Sequence, residues 1–196
     1  MSGTQDPSGP PGSGSPPEGI ERFRSYLCLL ARMNLPHELR PKMDPSDIVQ
    51  QTLLEAHCSR DLFRGHSPGE RAAWLRRILL QNIVDAERAN RRGKRDVARE
   101  RSLEKAMSDS ASRLEGWIAA DQSTPSERFL REERVLMLAQ ALESLEEEEQ
   151  ETLIDRYCRE LTIVEIAERR GTSRNAVARV LTRGTIKLRK KLKGLE

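Results

Sequence analysis

The chain has 196 residues, a length that accommodates one or two small domains. Charged residues make up 33% of it and aromatic residues only 4%, so any core is aliphatic and thin, which favours two small helical domains over one large one. The net charge is only +3, and because basic and acidic residues are concentrated in separate stretches, the total charge decides little.

The first residues, 1–19, are mostly glycine, proline and serine. Such a segment buries too little apolar surface to offset its backbone entropy, so we predict a disordered tail. Helical spacing begins with Phe23, Leu27 and Leu30 and ends near Pro36. The first helix is therefore predicted directly after the tail.

A second helix is predicted from Asp44, which fits an N-cap, with Pro45 in the first turn. Residues 62–70 contain two glycines and a proline and predict a loop. The segment 70–92 that follows has neither residue type and repeats apolar side chains at helical spacing, so it predicts a long helix. Residues 20–95 are thus predicted to form the first helical domain.

The next segment, residues 96–123, is polar and weakly periodic and is predicted to be a flexible, partly helical linker. Its Trp117 either docks on one of the domains or is exposed. The second domain, residues 124–196, begins at a stop-and-start signal around Pro125. Strand signals are absent from the sequence. The predicted fold is therefore all-α, with two small helical domains joined by the linker.

The segment 161–192 carries the strongest motif of the sequence. Thr162 and Glu165 have the spacing of a capping box. Gly171 stands where a left-handed C-cap residue is needed, and Ser173 fits the N-cap of a second helix. Apolar residues of the two short helices face each other across the turn, namely Ile163, Ile166, Ala167, Val177, Val180 and Leu181. This pattern predicts a DNA-binding helix-turn-helix.

The charge of this motif supports a role in binding DNA. Between Arg169 and Leu195 the sequence has no acidic residue, and a stretch of one sign repels itself unless a polyanion neutralises it. Arg174 and Asn175 lie at the end of the second helix that enters the major groove, where arginine suits a guanine edge and asparagine an adenine edge. The predicted DNA contacts of the motif are Ser173, Arg174, Asn175, Ala178, Arg179 and Arg183.

An acidic stretch lies just upstream of the motif, with six glutamates between residues 143 and 151. Three interpretations are open: a solvated face, a contact with a protein partner, or a helix start stabilised by the helix dipole. We favour the solvated face, turned away from DNA.

A family resemblance follows from these motifs. Ala141-Leu142-x-x-Leu145, then x-x-E-x-A and S-x-x-x-V before a basic tail, resembles the fourth conserved region of sigma-70-type factors. In the first domain, residues 44–52 resemble the polymerase-binding helix of the second region. The pattern Trp-Leu-x-Arg-Ile-x-x-x-Asn-x-x-Asp-x-x-Arg, residues 74–88, resembles the segment that opens and reads the minus-ten promoter element.

The layout of the two regions narrows the resemblance. Their short separation leaves no room for a third region, as in the extracytoplasmic-function (ECF) sigma factors. The resemblance covers about residues 20–95 and 124–193 and implies a protein that directs core RNA polymerase to promoter DNA. The recognition helix departs from the usual Thr-Val-Lys-Ser-Arg, with Ala-Val-Ala-Arg-Val at residues 176–180. This departure leaves the identity of the minus-thirty-five bases open.

The resemblance also implies roles for individual residues. The clamp helices of the polymerase β′ subunit would bind Asp44, Asp47, Ile48, Gln50 and Gln51, and the β flap of the polymerase is a further expected partner. Minus-ten DNA would contact Trp74, Arg77, Asn82, Arg88, Arg91, Arg92, Lys94 and Arg95. Each set has a structural alternative: Trp74 is equally suited to a core, and Arg88 and Arg91 have the spacing to pair with Asp85 and Glu87 on their own helix.

Two other classes of protein fit the sequence less well. An enzyme is disfavoured, because the three histidines have no matching cysteine or acidic pair, and there is no phosphate-binding glycine loop or nucleophile motif. The three cysteines form no CxxC pair, so no disulfide framework, metal or cofactor is expected. A stand-alone helix-turn-helix regulator that binds operators as a dimer explains the second domain but not residues 44–52 and 74–88.

Location and further partners were also considered. Without a long apolar run or a secretion leader, the chain is expected to be cytoplasmic and nucleoid-associated and not to insert into membranes. An anti-sigma partner is left open.

Overall fold

The computed structural model describes residues 19–91, 96–118 and 125–193. These residues form helices and no strand, which confirms the all-α prediction. All but the last residue of the predicted tail 1–19 lies outside the described residues, as do 92–95 and 119–124. The helices are α1 (Arg24–Asn34), α2 (Pro45–Cys58), α3 (Pro68–Asn90), α4 (Val97–Ile118), α5 (Pro125–Glu143), α6 (Glu147–Leu153), α7 (Ile163–Arg170) and α8 (Arg174–Lys193).

The starts of α2 and α3 are set by local capping. The Asp44 carboxylate accepts a hydrogen bond from the Ser46 backbone N–H at 2.7 Å, and Pro45 occupies the first turn, as predicted. The loop predicted over 62–70 is wrong at its end, because α3 already begins at Pro68. Ser67 and Glu70 form a capping box around that start, with hydrogen bonds in both directions.

The main hydrophobic core takes side chains from α1 to α6 and from α8. Its largest fully buried side chains are Phe23 together with leucines and isoleucines, as a chain poor in aromatic residues requires. Helix α1 packs against α2, α4 and α5, and α6 packs against α8. The first helical unit (α1–α3) and the second (α5–α8) are therefore in direct contact.

Helix α4 occupies most of the segment predicted as a partly helical linker. Met107, Ala111 and Leu114 are buried in the common core. Trp117 stacks on Tyr157, with ring centroids 4.9 Å apart, so it docks on the second unit and is not free in solvent. Within the described ranges, no helix is both long and apolar enough to cross a bilayer.

Candidate nucleic-acid interface

The helix-turn-helix consists of α7, the turn 171–173 and α8. The Glu165 backbone N–H donates to the Thr162 hydroxyl, and the Glu165 carboxylate accepts from the Thr162 N–H at 2.7 Å, which completes the predicted capping box. That backbone hydrogen bond lowers the pKa of Glu165. Gly171 has φ +60°, the left-handed C-cap that residues with a Cβ rarely adopt. The predicted motif is confirmed in its local geometry.

A small core of its own holds the two helices together. Ile166, Ala167 and Val177 are buried against one another, with Leu161, Ile163 and Leu181 packed around them. The small side chain at Ala167 lets the helices approach, as the sequence indicated. Leu181 also packs against the main core, so this cluster joins the motif to the rest of the unit.

The N-terminal end of α8 is exposed. Ser173 caps it, its hydroxyl accepting from the Ala176 N–H at 3.2 Å. Arg174, Asn175 and Arg179 are exposed, Ala178 is half-buried, and neither arginine has an acidic partner among residues 19–91, 96–118 and 125–193. The cations at this end are therefore free to meet an anionic surface.

The middle of α8 is different, because its cations are paired with α6. The Arg183 Nε lies 2.5 Å from Glu149 Oε1, and the Lys187 Nζ lies 2.8 Å from both Glu146 and Glu149. The Glu149 side chain is 0% exposed. The interpretation of the acidic stretch as a solvated face is thus wrong for Glu149, which joins α6 to α8. Arg183, a predicted DNA contact, is engaged by this pair.

These ion pairs shift the titration of the groups involved. Burial raises the pKa of the Glu149 carboxyl, but the hydrogen bonds from Lys187 and Arg183 together outweigh it, and the net pKa is lowered. The hydrogen bond to Glu149 raises the pKa of Arg183, and the hydrogen bonds to Glu146 and Glu149 raise the pKa of Lys187. All three groups are charged at neutral pH, so both ion pairs of Glu149 are maintained there.

A second network, missed in the sequence, attaches α7 to the rest of the unit. The Asp155 carboxylate, whose side chain is 2% exposed, lies 2.5 Å from Arg159, 3.3 Å from Arg169 and 3.0 Å from Arg170. Only the spacing of Asp155 and Arg159 on one helical turn could have indicated it. Two arginines of α7 are therefore structural ligands of a buried carboxylate.

Of the five predicted minus-ten residues that the structure describes, four lie in protein contacts. Trp74 is half-buried and stacks on Phe63, with ring centroids 5.0 Å apart. The Asn82 amide donates to Thr52 at 3.1 Å and to Glu55 at 3.3 Å, which ties α3 to α2. Arg77, by contrast, is exposed.

The arginines at the end of α3 form ion pairs with acidic residues of the same helix, which was the structural alternative to DNA binding. Arg88 lies 3.0 Å from Asp85, and Arg91 lies 3.4 Å from Glu87. Arg88 also reaches Glu100 on α4, at 2.5 Å, a contact that the sequence did not reveal. The other predicted residues of this set, Arg92, Lys94 and Arg95, lie outside the described residues.

The predicted polymerase-binding residues lie along α2. Asp47, Gln50 and Gln51 are exposed, as is the capping residue Asp44. Ile48 is only 5% exposed and belongs to the core, so it supports this face from beneath. Leu54, which sequence reasoning did not single out, is 57% exposed and lies one turn beyond Gln50 and Gln51. A single exposed leucine is common on protein surfaces, so Leu54 does not by itself mark an interface.

Fold and site together define a helical protein with a helix-turn-helix DNA-binding domain. The comparison with family models agrees: residues 141–190 match the model for sigma-70, region 4. The match covers the helix-turn-helix domain alone; it supports a sigma factor of the sigma-70 family and confirms the resemblance of the second unit. A search of the curated proteins found no match to the chain.

Proposed function

We propose that this chain is a sigma factor of the ECF type, which binds core RNA polymerase in the cytoplasm and directs promoter recognition, DNA opening and transcription initiation. It has no catalytic activity of its own in this proposal. The observation that carries the proposal is the exposed start of α8 inside a sigma-70 region 4 domain, where Arg174, Asn175 and Arg179 have no side-chain partner among the residues that the structure describes.

The end of α8 supplies the DNA-reading half of the function. Side chains at the start of a recognition helix reach base edges in the major groove. Arg174 suits the O6 and N7 acceptors of guanine, and Asn175 suits adenine. Arg179, one turn further, is placed to contact a phosphate, which positions the helix without reading sequence. These residues would read the minus-thirty-five element.

The first unit supplies the polymerase-binding half. The exposed face of α2 combines Asp47, Gln50 and Gln51 with the apolar Leu54, a mixture of polar rim and apolar anchor that protein interfaces use. Trp74 remains half-buried, so part of its ring is accessible, and exposed Arg77 lies on the next turn. Stacking of a melted base on an aromatic ring contributes about 1–3 kcal/mol.

The experiment compares promoter binding by the chain alone and in the presence of core polymerase. Labelled genomic fragments are selected with the reconstituted complex, and the enriched sequences are then tested in gel-shift assays under both conditions. A sigma factor shifts them only when core polymerase is present. Strong, sequence-specific shifts by the chain alone would instead identify the stand-alone dimeric regulator.

A further inference from the structure

A cavity of about 320 Å³ lies where α1, α3 and α5 meet, with one side chain of α4 at its edge. An apolar protein cavity of roughly 150 Å³ accommodates a benzene ring, and small-molecule sites in proteins begin at roughly 300 Å³. The cavity is therefore large enough for an organic molecule built on one ring.

Part of the cavity wall is apolar. Phe23, Val135 and Leu136 line it and are buried, and the half-buried Ala72 lines it as well. Water in contact with such side chains gains few hydrogen bonds, so an apolar ligand that displaces this water is stabilised. The wall therefore favours a ligand with an apolar body.

The polar part of the wall supplies hydrogen-bond donors. The Arg76 Nη1 donates to the Tyr26 hydroxyl at 2.7 Å, and burial raises the pKa of Tyr26, so its O–H remains a donor. Arg131 is half-buried on the α5 side. Within the described parts of the chain, neither arginine forms an ion pair with a carboxylate. Most of their N–H donors are therefore available to an acceptor that a ligand brings.

Two carboxylates also line the cavity, and each is compensated by its surroundings. Glu132 lies so close to the backbone of Gly69 that a Cβ there would collide with the carboxylate. Gly69 is in the first turn of α3, where the positive end of the helix dipole offsets a negative charge. Glu115 is exposed, so water screens its charge. The uncompensated charge that the cavity offers to a ligand is therefore positive.

We propose that this cavity is a binding site for a small organic monoanion, with an apolar body about the size of one ring and a carboxylate that Arg76 and Arg131 hold. A guanidinium matches the two oxygens of a carboxylate. A monoanion fits better than a dianion, because Glu115 and Glu132 line the same cavity. The site is separate from the exposed start of α8, so it does not depend on the proposed function.

The test uses phenylacetate, which combines one ring with one carboxylate, and the full-length chain. A titration followed by two-dimensional amide NMR locates the site and gives the affinity. Saturable shifts are expected at the amides of lining residues such as Gly69, Ala72 and Leu136. Phenethylamine has a similar body and the opposite charge, and it should bind at least about tenfold more weakly.

A pair of arginine variants tests the charge of the site. Arg131→Gln should weaken phenylacetate binding about tenfold, as expected for the loss of a charge-assisted hydrogen bond. The matched control is Arg134→Gln, which makes the same change in net charge at an exposed position of the same helix. Its affinity for phenylacetate should stay within about twofold of the parent.

A cavity-filling variant tests the space itself. Ala72→Leu keeps both arginines and occupies part of the cavity, so phenylacetate binding should be lost. Circular dichroism checks that this variant is folded. Because a ligand that binds only the folded state stabilises it, phenylacetate should raise the Tm of the parent and of Arg134→Gln but not that of Ala72→Leu.

Four results would each overturn the proposal. They are no saturable shift at millimolar phenylacetate, tighter binding of phenethylamine than of phenylacetate, equal losses for Arg131→Gln and Arg134→Gln, and unchanged binding by folded Ala72→Leu. Shifts confined to the start of α8 would also contradict it, because the probe would then be bound by the exposed cations of the helix-turn-helix.

Discussion

Two basic regions of this chain, the end of α3 and the start of α8, use their cations differently. At the end of α3, Arg88 and Arg91 are both paired with acidic neighbours. At the start of α8, Arg174 and Arg179 are exposed and have no acidic partner within the described parts of the chain. The sequence shows both regions simply as basic, whereas the structure separates compensated charge from available charge.

This difference shows which of the two regions can bind DNA without first breaking ion pairs within the protein. A cation that already has a carboxylate partner must lose that partner before it binds a phosphate, so its net contribution is small. An unpaired cation on a helix end releases counterions directly when it meets DNA. Among the described residues, the available charge therefore points to the start of α8 as the better prepared of these two DNA-binding surfaces.

The largest expected effect comes from removing the support of this surface. Asp155→Ala leaves Arg159, Arg169 and Arg170 without their shared carboxylate, and removal of one member of a buried ionic network destabilises a protein by about 3–5 kcal/mol. Urea denaturation should show that loss in the free energy of unfolding. Asp61→Ala is the control, since the Asp61 side chain is 93% exposed, and it should change stability by less than about 0.5 kcal/mol.

The next effect concerns base recognition. Arg174→Ala should change the preference at one upstream base pair by about 1–3 kcal/mol, while Arg88→Ala should leave upstream preference unchanged. Competition binding of holoenzyme to promoters with single-base changes measures both. If Arg174→Ala instead weakened binding equally for every promoter variant, Arg174 would be a phosphate contact and not a base contact.

A smaller effect tests the pair between α6 and α8. Glu149→Gln should reduce stability at neutral pH by about 1 kcal/mol, because the charge that Arg183 and Lys187 share is lost. The folded state holds the pKa of Glu149 below its ordinary value of 4.5. The unfolded chain therefore binds the proton more readily, and the stabilisation is present above that value and lost as pH falls through the folded pKa.

Urea denaturation across the acid range checks this assignment. The difference in free energy of unfolding between the parent and Glu149→Gln should shrink as the pH falls. A difference that does not depend on pH would show that packing, and not charge, is responsible. Glu104→Gln, at an exposed position, should match the parent throughout.

The smallest effect is on the salt dependence of DNA binding. Arg179→Ala should reduce the slope of log affinity against log salt by about 1, as expected for one lost phosphate contact. Arg183→Ala should alter that slope less, because Arg183 is paired with Glu149. A larger change in slope for Arg183→Ala than for Arg179→Ala would show that the ion pair between Arg183 and Glu149 opens when DNA binds.

Features set by neighbours in the sequence could be predicted well. The Asp44 cap, the Thr162 and Glu165 capping box and the left-handed Gly171 all follow from short-range chemistry and all occur in the structure. The start of α3 was missed even though the Ser67 and Glu70 signal was present, because Pro68 and Gly69 were taken as loop residues.

Features set by distant residues could not be predicted in the same way. The burial of Glu149 depends on Arg183 and Lys187, more than thirty positions away along the chain. The common core of the two units depends on α5 meeting α1, and no periodicity within either helix specifies that partner. The sequence therefore shows where a charged stretch lies. Whether its side chains are solvated or form ion pairs depends on residues far away along the chain.

The most direct test of the account is reconstituted transcription with core polymerase and genomic DNA, followed by mapping of start sites. The account predicts a defined set of starts that depends on the chain, and a loss at every start for Asp47→Arg, which would disrupt the proposed polymerase-binding face of α2. Absence of chain-dependent starts, or unchanged core affinity and transcription for Asp47→Arg, would contradict it.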